Sequence, residues 1–217
     1  WIECRTAETA PLFPDPPSRG DYAAWSPDGT RLAYAGPERE VCVVDFSTLS
    51  DPRCFPVGIE SPPAWSPDGT TLLAVAMQFG PDFFISHILR VDLASGELMD
   101  LSGDIKSYVS DVEDDAPAWS SDGQWIAFRR KAAGTAMGKQ VWIMRADGSD
   151  AHALTTDTAS YYGPPVWVDD GTTLLTTRYA AEKAEMIRPS EIRAISPIST
   201  TSTLIVSGGY LPHWWGK

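Results

Sequence analysis

The octapeptide Ala23–Thr30, "AAWSPDGT", returns almost unchanged as "PAWSPDGT" at Pro63–Thr70. In each copy the proline presets φ for the first central position of a type I turn. The aspartate suits the second, and the glycine takes the left-handed conformation that sends the chain back. Such a turn joins two twisted antiparallel strands. Degenerate copies follow as "PAWSSDGQ" at 117–124, "PVWVDDGT" at 165–172 and "LPHWWGK" at 211–217. Their tryptophans, Trp25, Trp65, Trp119, Trp167 and Trp214, are spaced by 40, 54, 48 and 47 residues. A drifting period in the forties marks one supersecondary unit with loops of variable length.

Each unit reads as four short strands. After the tryptophan strand and its turn comes a β-rich run: 31–35, 70–77, 124–129 and 172–178 in successive units. A second run follows at 41–46, 87–93, 140–145 and 191–195. A third, shorter one lies at 54–57, 97–101, 151–155 and 201–206. Helical periodicity is absent, except for a loop or single turn at 180–187. Four antiparallel strands repeated radially make a β-propeller blade, so the chain is expected to be all-β. One domain spans 1–217, with full blades at 21–57, 58–102, 114–155 and 162–206. The segment "WIECRTAETAPLF" aligns without gaps on "WIMRADGSDAHAL" at 142–154. Residues 1–20 therefore read as outer strands of a split blade, and 210–217 as the inner strand of a closing or next blade. The result is four full blades plus a shared or incomplete fifth.

"PAWSPDG", followed by a strand and then "VVDFST" or "RVDLASGE", resembles the propeller repeat of the TolB family. It is also similar to the propeller domains of prolyl oligopeptidase-like peptidases. The Trp-Asp dipeptide of the WD-repeat variety is absent; Val44-Asp45 and Val91-Asp92 stand in its place. The resemblance covers nearly the whole chain. It implies a protein-interaction scaffold of periplasmic location and a propeller of six blades, of which this chain would be a part.

Composition narrows the function classes. The formal charge of −12 argues against nucleic acid or an anionic membrane surface, which need clustered Lys and Arg. No apolar run reaches membrane-spanning length. No signal peptide is visible, although residue 1 falls in mid-repeat and a leader could have been removed. Three cysteines, Cys4, Cys42 and Cys54, form no CxxC pair. Cys42 and Cys54 flank a hairpin, as a disulfide or as two buried thiols. With no asparagine in the chain there is no N-glycosylation sequon.

Catalytic signatures are missing. There is no G-x-S-x-G elbow, since "VSGGY" at 206–210 lacks the first glycine, and no phosphate or dinucleotide loop. His87, His152 and His213 fall at unrelated blade positions. The turn residues Asp28, Gly29, Asp68 and Gly69 read as structural, because equivalent turns on separate blades do not converge on one point. Trp25, Trp65, Trp119 and Trp167 read as wedges between blades.

Function is then expected on the opposite face, around the channel mouth, where the long loops 77–86, 130–139 and 178–190 gather. The segments leading into the tryptophan strands bring Asp21, Glu60, Asp114, Asp115, Tyr161, Tyr162 and Tyr210 there. The loop "QFGPDFF" adds Phe79, Phe83 and Phe84 as anchors for a partner. Asp111, Glu113, Asp114 and Asp115, in "SDVEDDAP", are a candidate Ca²⁺ site, though no Asp-x-Asp-x-Asp-Gly loop is present and a solvated acidic loop is the plainer reading. In "FRRK", Arg129 and Arg130 suit an acidic peptide or that same acidic loop. No other cofactor is expected, and the domain reads as a monomer.

Three functions compete. The first is a non-catalytic scaffold for a protein or peptide partner. The second is a gating or sensor module of a larger enzyme or membrane protein. The third, a carbohydrate-binding or glycan-active propeller, would need converging acidic residues on inner strands, where small and apolar residues stand instead.

Overall fold

A computed structural model describes residues 21–48, 51–59, 61–79, 84–103, 112–132, 138–168, 171–180, 190–209 and 211–212. Seventeen strands and no helix are found among them. The first blade runs β1 (Asp21–Trp25), β2 (Arg31–Ala35), β3 (Val41–Asp45) and β4 (Arg53–Phe55). The second has β5 (Ala64–Trp65), β6 (Thr71–Phe79), β7 (Phe84–Asp92) and β8 (Leu98–Asp100). The third has β9 (Val112–Trp119), β10 (Trp125–Ala132), β11 (Gln140–Arg145) and β12 (His152–Ala153). In the fourth, the inner strand is split into β13 (Ser160–Tyr162) and β14 (Val166–Trp167), followed by β15 (Leu174–Ala180), β16 (Ser190–Ile195) and β17 (Ser202–Ser207). Pairing within every blade is antiparallel and sequential. Among the described residues one parallel bridge, Ser86 to Glu113, ties the second sheet to the third. This is a β-propeller architecture.

The inner strands show why proline and positive φ precede the tryptophans. In the first and third blades, Tyr22 and Ala116 adopt φ of 60° and 50°, and the ladder skips there as a bulge. In the second and fourth, Pro62-Pro63 and Pro164-Pro165 remove the donors a ladder needs, so β5 and β14 are only two residues long.

The central strands are buried on both faces, because blades stack on each other. Leu72 joins a cluster with Ala33, Val41, Val57 and Trp65, between the first and second blades. Its neighbour Leu73 joins Ile88, Ile126, Phe128 and Met144, between the second and third. Ala127, beside Ile126, belongs with Ile143, Trp167, Leu174 and Ile195, between the third and fourth. Side chains alternate in a strand, so each central strand contributes to two cores and needs apolar residues at nearly every position.

Among the described residues the recurring turn builds the same network three times. Gly29 N–H donates to Ser26 O, and Arg31 N–H to Ser26 Oγ. Asp28 Oδ1 accepts from Ser26 Oγ at 2.6 Å and from the amide and hydroxyl of Thr30. Ser66, Asp68 and Thr70 repeat it, as do Ser120, Asp122 and Gln124. The glycines sit at φ near 70°, which only glycine takes without strain. These aspartates therefore hold a turn.

The donors lower the aspartate pKa values, the Ser hydroxyl most of all. Asp28 moves from 3.8 to about 2, and Asp68 and Asp122 shift in the same direction. A folded-state pKa below the unfolded one gives stability that is fully present above pH 3.8 and is lost as pH falls toward 2. Melting temperature is expected to fall over that window, with the Asp28 ¹³C carboxyl resonance titrating near its lower end. A resonance titrating near pH 4 would contradict the network.

Cys42 and Cys54 face each other in the β3–β4 register and form a disulfide. Their alternative as free thiols is thereby settled. Cys4 lies outside the described residues.

The wedge reading of the tryptophans needs refinement. Trp65 and Trp167 are buried, and each indole N–H reaches back to the preceding blade: Trp65 Nε1 to Ala24 O at 2.9 Å, Trp167 Nε1 to Ala118 O at 3.0 Å. Trp119 packs partly buried against the same kind of core, with its Nε1 buried and unbonded. Trp25 is 48% exposed, because no described blade stands on its side.

Candidate functional site

The end of the propeller opposite the turns is richer in strand than its loop-like sequence suggests. β6 and β7 continue to Phe79 and Phe84, which pair with each other at the tip of a long hairpin. Phe79 and Phe84 are thus strand residues and not loop residues. Phe83 and Glu60 lie outside the described residues, as do Asp111, Tyr210 and positions 181–189.

The larger correction concerns the acidic run. Residues 112–119 are not a loop but the inner strand β9, aligned with β10 so that Glu113 opposes Lys131, Asp114 opposes Arg130 and Asp115 opposes Arg129. Read in opposite directions, Glu-Asp-Asp matches Arg-Arg-Lys residue for residue, and opposite charges directly across a ladder attract. Arg130 grips Asp114 with two bonds, Nε to Oδ1 at 2.7 Å and Nη2 to Oδ2 at 2.6 Å. Arg129 does the same to Asp115 at 2.6 and 2.8 Å, and Lys139 Nζ adds a third contact at 2.8 Å. Lys131 Nζ bonds Glu113 Oε1 at 3.2 Å.

Strand alternation sends these rungs to different faces. Asp114 and Arg130 lie toward the second blade, with the guanidinium 5.1 Å from the Phe128 ring centroid and 5.0 Å from that of Trp142. Asp114 is wholly buried. Glu113, Asp115, Arg129 and Lys139 lie toward the fourth blade, where Arg129 Nη1 also donates to Tyr162 O at 3.4 Å. The three carboxylates meet cations rather than one another. The arginines expected to greet an acidic peptide are held by the strand beside them. "FRRK" thus pairs with the nearby acidic run.

Tyr162, expected at the channel mouth, is 4% exposed and part of the core between the third and fourth blades; burial raises its phenol pKa. Tyr161, half-buried, stacks on Tyr179 with ring centroids 4.7 Å apart and planes 10° from parallel. A second charged cluster lies beside them. Arg178 bridges Asp157 at 2.9 Å and Glu191 at 3.4 Å, and Arg193 bonds Glu191 at 2.9 Å. The Arg178 hydrogen bond is the main cause of the lowered Asp157 pKa, and Arg193 plays that part for Glu191.

Sequence reasoning missed one pair entirely. His87, fully buried on β7, places Nδ1 2.8 Å from Asp100 Oδ2 on β8. Asp100 Oδ1 accepts from the Ser102 and Gly103 amides. The two residues are 13 apart, a spacing that carries no motif, and only the β7–β8 pairing brings them together.

Repeated four-stranded sheets, stacked through tryptophan-anchored cores, define a propeller of the kind marked by the W-S-P-D-G turn. The chain belongs to the TolB beta propeller domain family, whose profile matches residues 22–205. Solved structures share the fold at low identity. An oligogalacturonate lyase in complex with manganese superposes with a TM-score of 0.68 at 20% identity, over 87% of this chain and 54% of its own. TolB from Acinetobacter baumannii gives 0.61 at 18%, over 85% and 42%. Dipeptidyl peptidase 4 from Porphyromonas gingivalis gives 0.59 at 13%, over 87% and 33%. The chain thus spans about half the length of the lyase and a third of the peptidase. Among the described residues no helix is long and apolar enough to cross a membrane.

Proposed function

We propose that this propeller is a non-catalytic scaffold that binds a protein or peptide across the face opposite the turns. The observation that carries the reading is the charge ladder. Each carboxylate of Glu113–Asp115 has a basic partner, so these groups serve rigidity rather than acid–base chemistry or metal ligation. A rigid rim of this kind suits display of the β6–β7 hairpin and the Tyr161–Tyr179 pair. The Cys42–Cys54 disulfide supports an extracytoplasmic location, since disulfides persist in oxidising compartments. A second reading, a gating or sensor module of a larger enzyme, is favoured by one fact: the chain matches only a third of a peptidase.

The hairpin tip is the place to test binding. The double variant Phe79→Ala/Phe84→Ala, immobilised beside the parent chain, is expected to keep the parent's melting temperature and lose most of its specifically captured protein. Capture equal to the parent's, by quantitative mass spectrometry, would rule the hairpin out as the contact.

A further inference from the structure

The disulfide of the first blade has an acidic neighbour. Glu40, the residue before β3, places Oε1 3.6 Å from Cys42 Sγ. A sulfur in a disulfide carries no proton, so the carboxylate gains no hydrogen bond from that contact. Its other oxygen, Oε2, accepts the Glu38 N–H at 2.8 Å. Among the described residues no lysine or arginine forms an ion pair with it. Gly36 makes the approach possible: a Cβ there would overlap Glu40 Oε1 and lie 2.7 Å from Cys42 Sγ. One ligand atom from each of Glu40, Cys42 and Cys54 thus lies within 4.8 Å of the others.

The two sulfurs differ in access. Cys42 is buried, whereas Cys54 is exposed on β4, the outermost strand of its sheet. The strand register does not rest on the disulfide alone. Val41 pairs with Phe55, and Val43 with Arg53, on either side of it. Phe55 and Val57 are also anchored beside Val41 in the first interblade core. Breaking the S–S bond therefore leaves two thiols side by side with a carboxylate next to them.

We infer that the reduced form of this site binds a thiophilic divalent cation of the Zn²⁺ class through Cys42, Cys54 and Glu40. Two thiolates and a carboxylate are ordinary ligands of such an ion, and water completes its tetrahedral shell from the exposed Cys54 side. The disulfide is the form in which the site is closed. None of the three ligands belongs to the β6–β7 hairpin or to the Tyr161–Tyr179 pair, so the site stands or falls separately from the scaffold reading.

A small-molecule thiol, RSH, opens the site. Its thiolate attacks the accessible Cys54 Sγ, and the S–S bond breaks to release the Cys42 thiolate. A second RSH attacks the sulfur of R in the mixed disulfide, releasing the Cys54 thiolate and RSSR. The protein sulfurs gain two electrons, and the two RSH supply them together with two protons, which the cysteines take up. The cation then displaces both protons to solvent as it binds.

The probe is Co²⁺, which reports its own ligands: thiolates give a near-ultraviolet charge-transfer band, and a tetrahedral shell gives intense d–d bands. The chain carries Cys4→Ser, so that Cys42 and Cys54 are its only cysteines. After reduction with a thiol and anaerobic removal of the reductant, one Co²⁺ per chain is expected to bind with both signals, and Zn²⁺ to displace it. The oxidised chain should give neither signal. Glu40→Gln keeps both thiols and should weaken binding at least about tenfold. Absence of both bands from the reduced chain, the same bands from the oxidised chain, or equal affinity in Glu40→Gln would each overturn the inference. So would loss of the fold on reduction without metal, read by circular dichroism, because the β3–β4 ladder must hold the sulfurs together.

Discussion

Replacing Arg130 with alanine is expected to destabilise the folded chain by about 3–5 kcal/mol, the range for breaking a buried ion pair from one side. Asp114 has no exposed surface, and both its oxygens are satisfied by Arg130. Without the guanidinium a carboxylate remains in the core between the second and third blades, with no water to replace its partner. The stack on Phe128 and Trp142 is lost at the same time. The pair as a whole is worth far less than this, because burying both ions has offset most of their attraction. The double variant Asp114→Leu/Arg130→Met should therefore recover most of the loss. Urea denaturation of the parent, both singles and the double closes the cycle. Arg129→Ala, at a partly exposed rung, should cost about 1 kcal/mol. If Arg130→Ala cost no more than Arg129→Ala, Asp114 would have to be solvated.

Trp65→Ala should be comparably severe, about 3–5 kcal/mol, as for other large-to-small changes of buried aromatics. Three losses combine: the indole's share of the first interblade core, its hydrogen bond to Ala24 O and the platform under Arg31. Trp65→Phe separates them. It keeps most of the apolar contact but leaves Ala24 O without its donor, and should cost about 1–3 kcal/mol. Trp25 occupies the same repeat position but is 48% exposed, so Trp25→Ala should change stability by about 1 kcal/mol or less. Equal effects at the two positions would show that the tryptophans do not work by wedging blades together.

The architecture was legible because its signals are local and repeated. A proline, an aspartate and a glycine at fixed offsets from a tryptophan specify a turn, and its recurrence sets the strand register. The Cys42–Cys54 neighbourhood follows from that register. The site was much less legible. Glu113–Asp115 read as a solvated acidic loop because consecutive charges usually are one, whereas here an antiparallel partner of matching charge lies 16 residues away. The complementary order of the two triplets was a usable signal. Tyr162 read as an exposed aromatic, yet the alternation along β13 buries it and leaves Tyr161 half-exposed. Phe79 and Phe84 read as loop anchors because glycine and proline between them suggest irregularity, and the ladder runs almost to that break. The His87–Asp100 pair had no sequence signal, since strand pairing alone brings the two together.

The indole bonds from Trp65 to Ala24 and from Trp167 to Ala118 have a consequence for how such a molecule changes over time. At these two joints the blade's one directional side-chain bond to its predecessor ends on a main-chain acceptor, which any residue can supply. The coupling rule between units is therefore indifferent to the sequence of the unit before it. A gene segment encoding one blade can be duplicated, lost or lengthened at its loops without rewriting its neighbours. The tryptophan spacings of 40, 54, 48 and 47 residues differ as such a rule permits. Length varies in the loops, while the indole joint is the same at the two places where it forms.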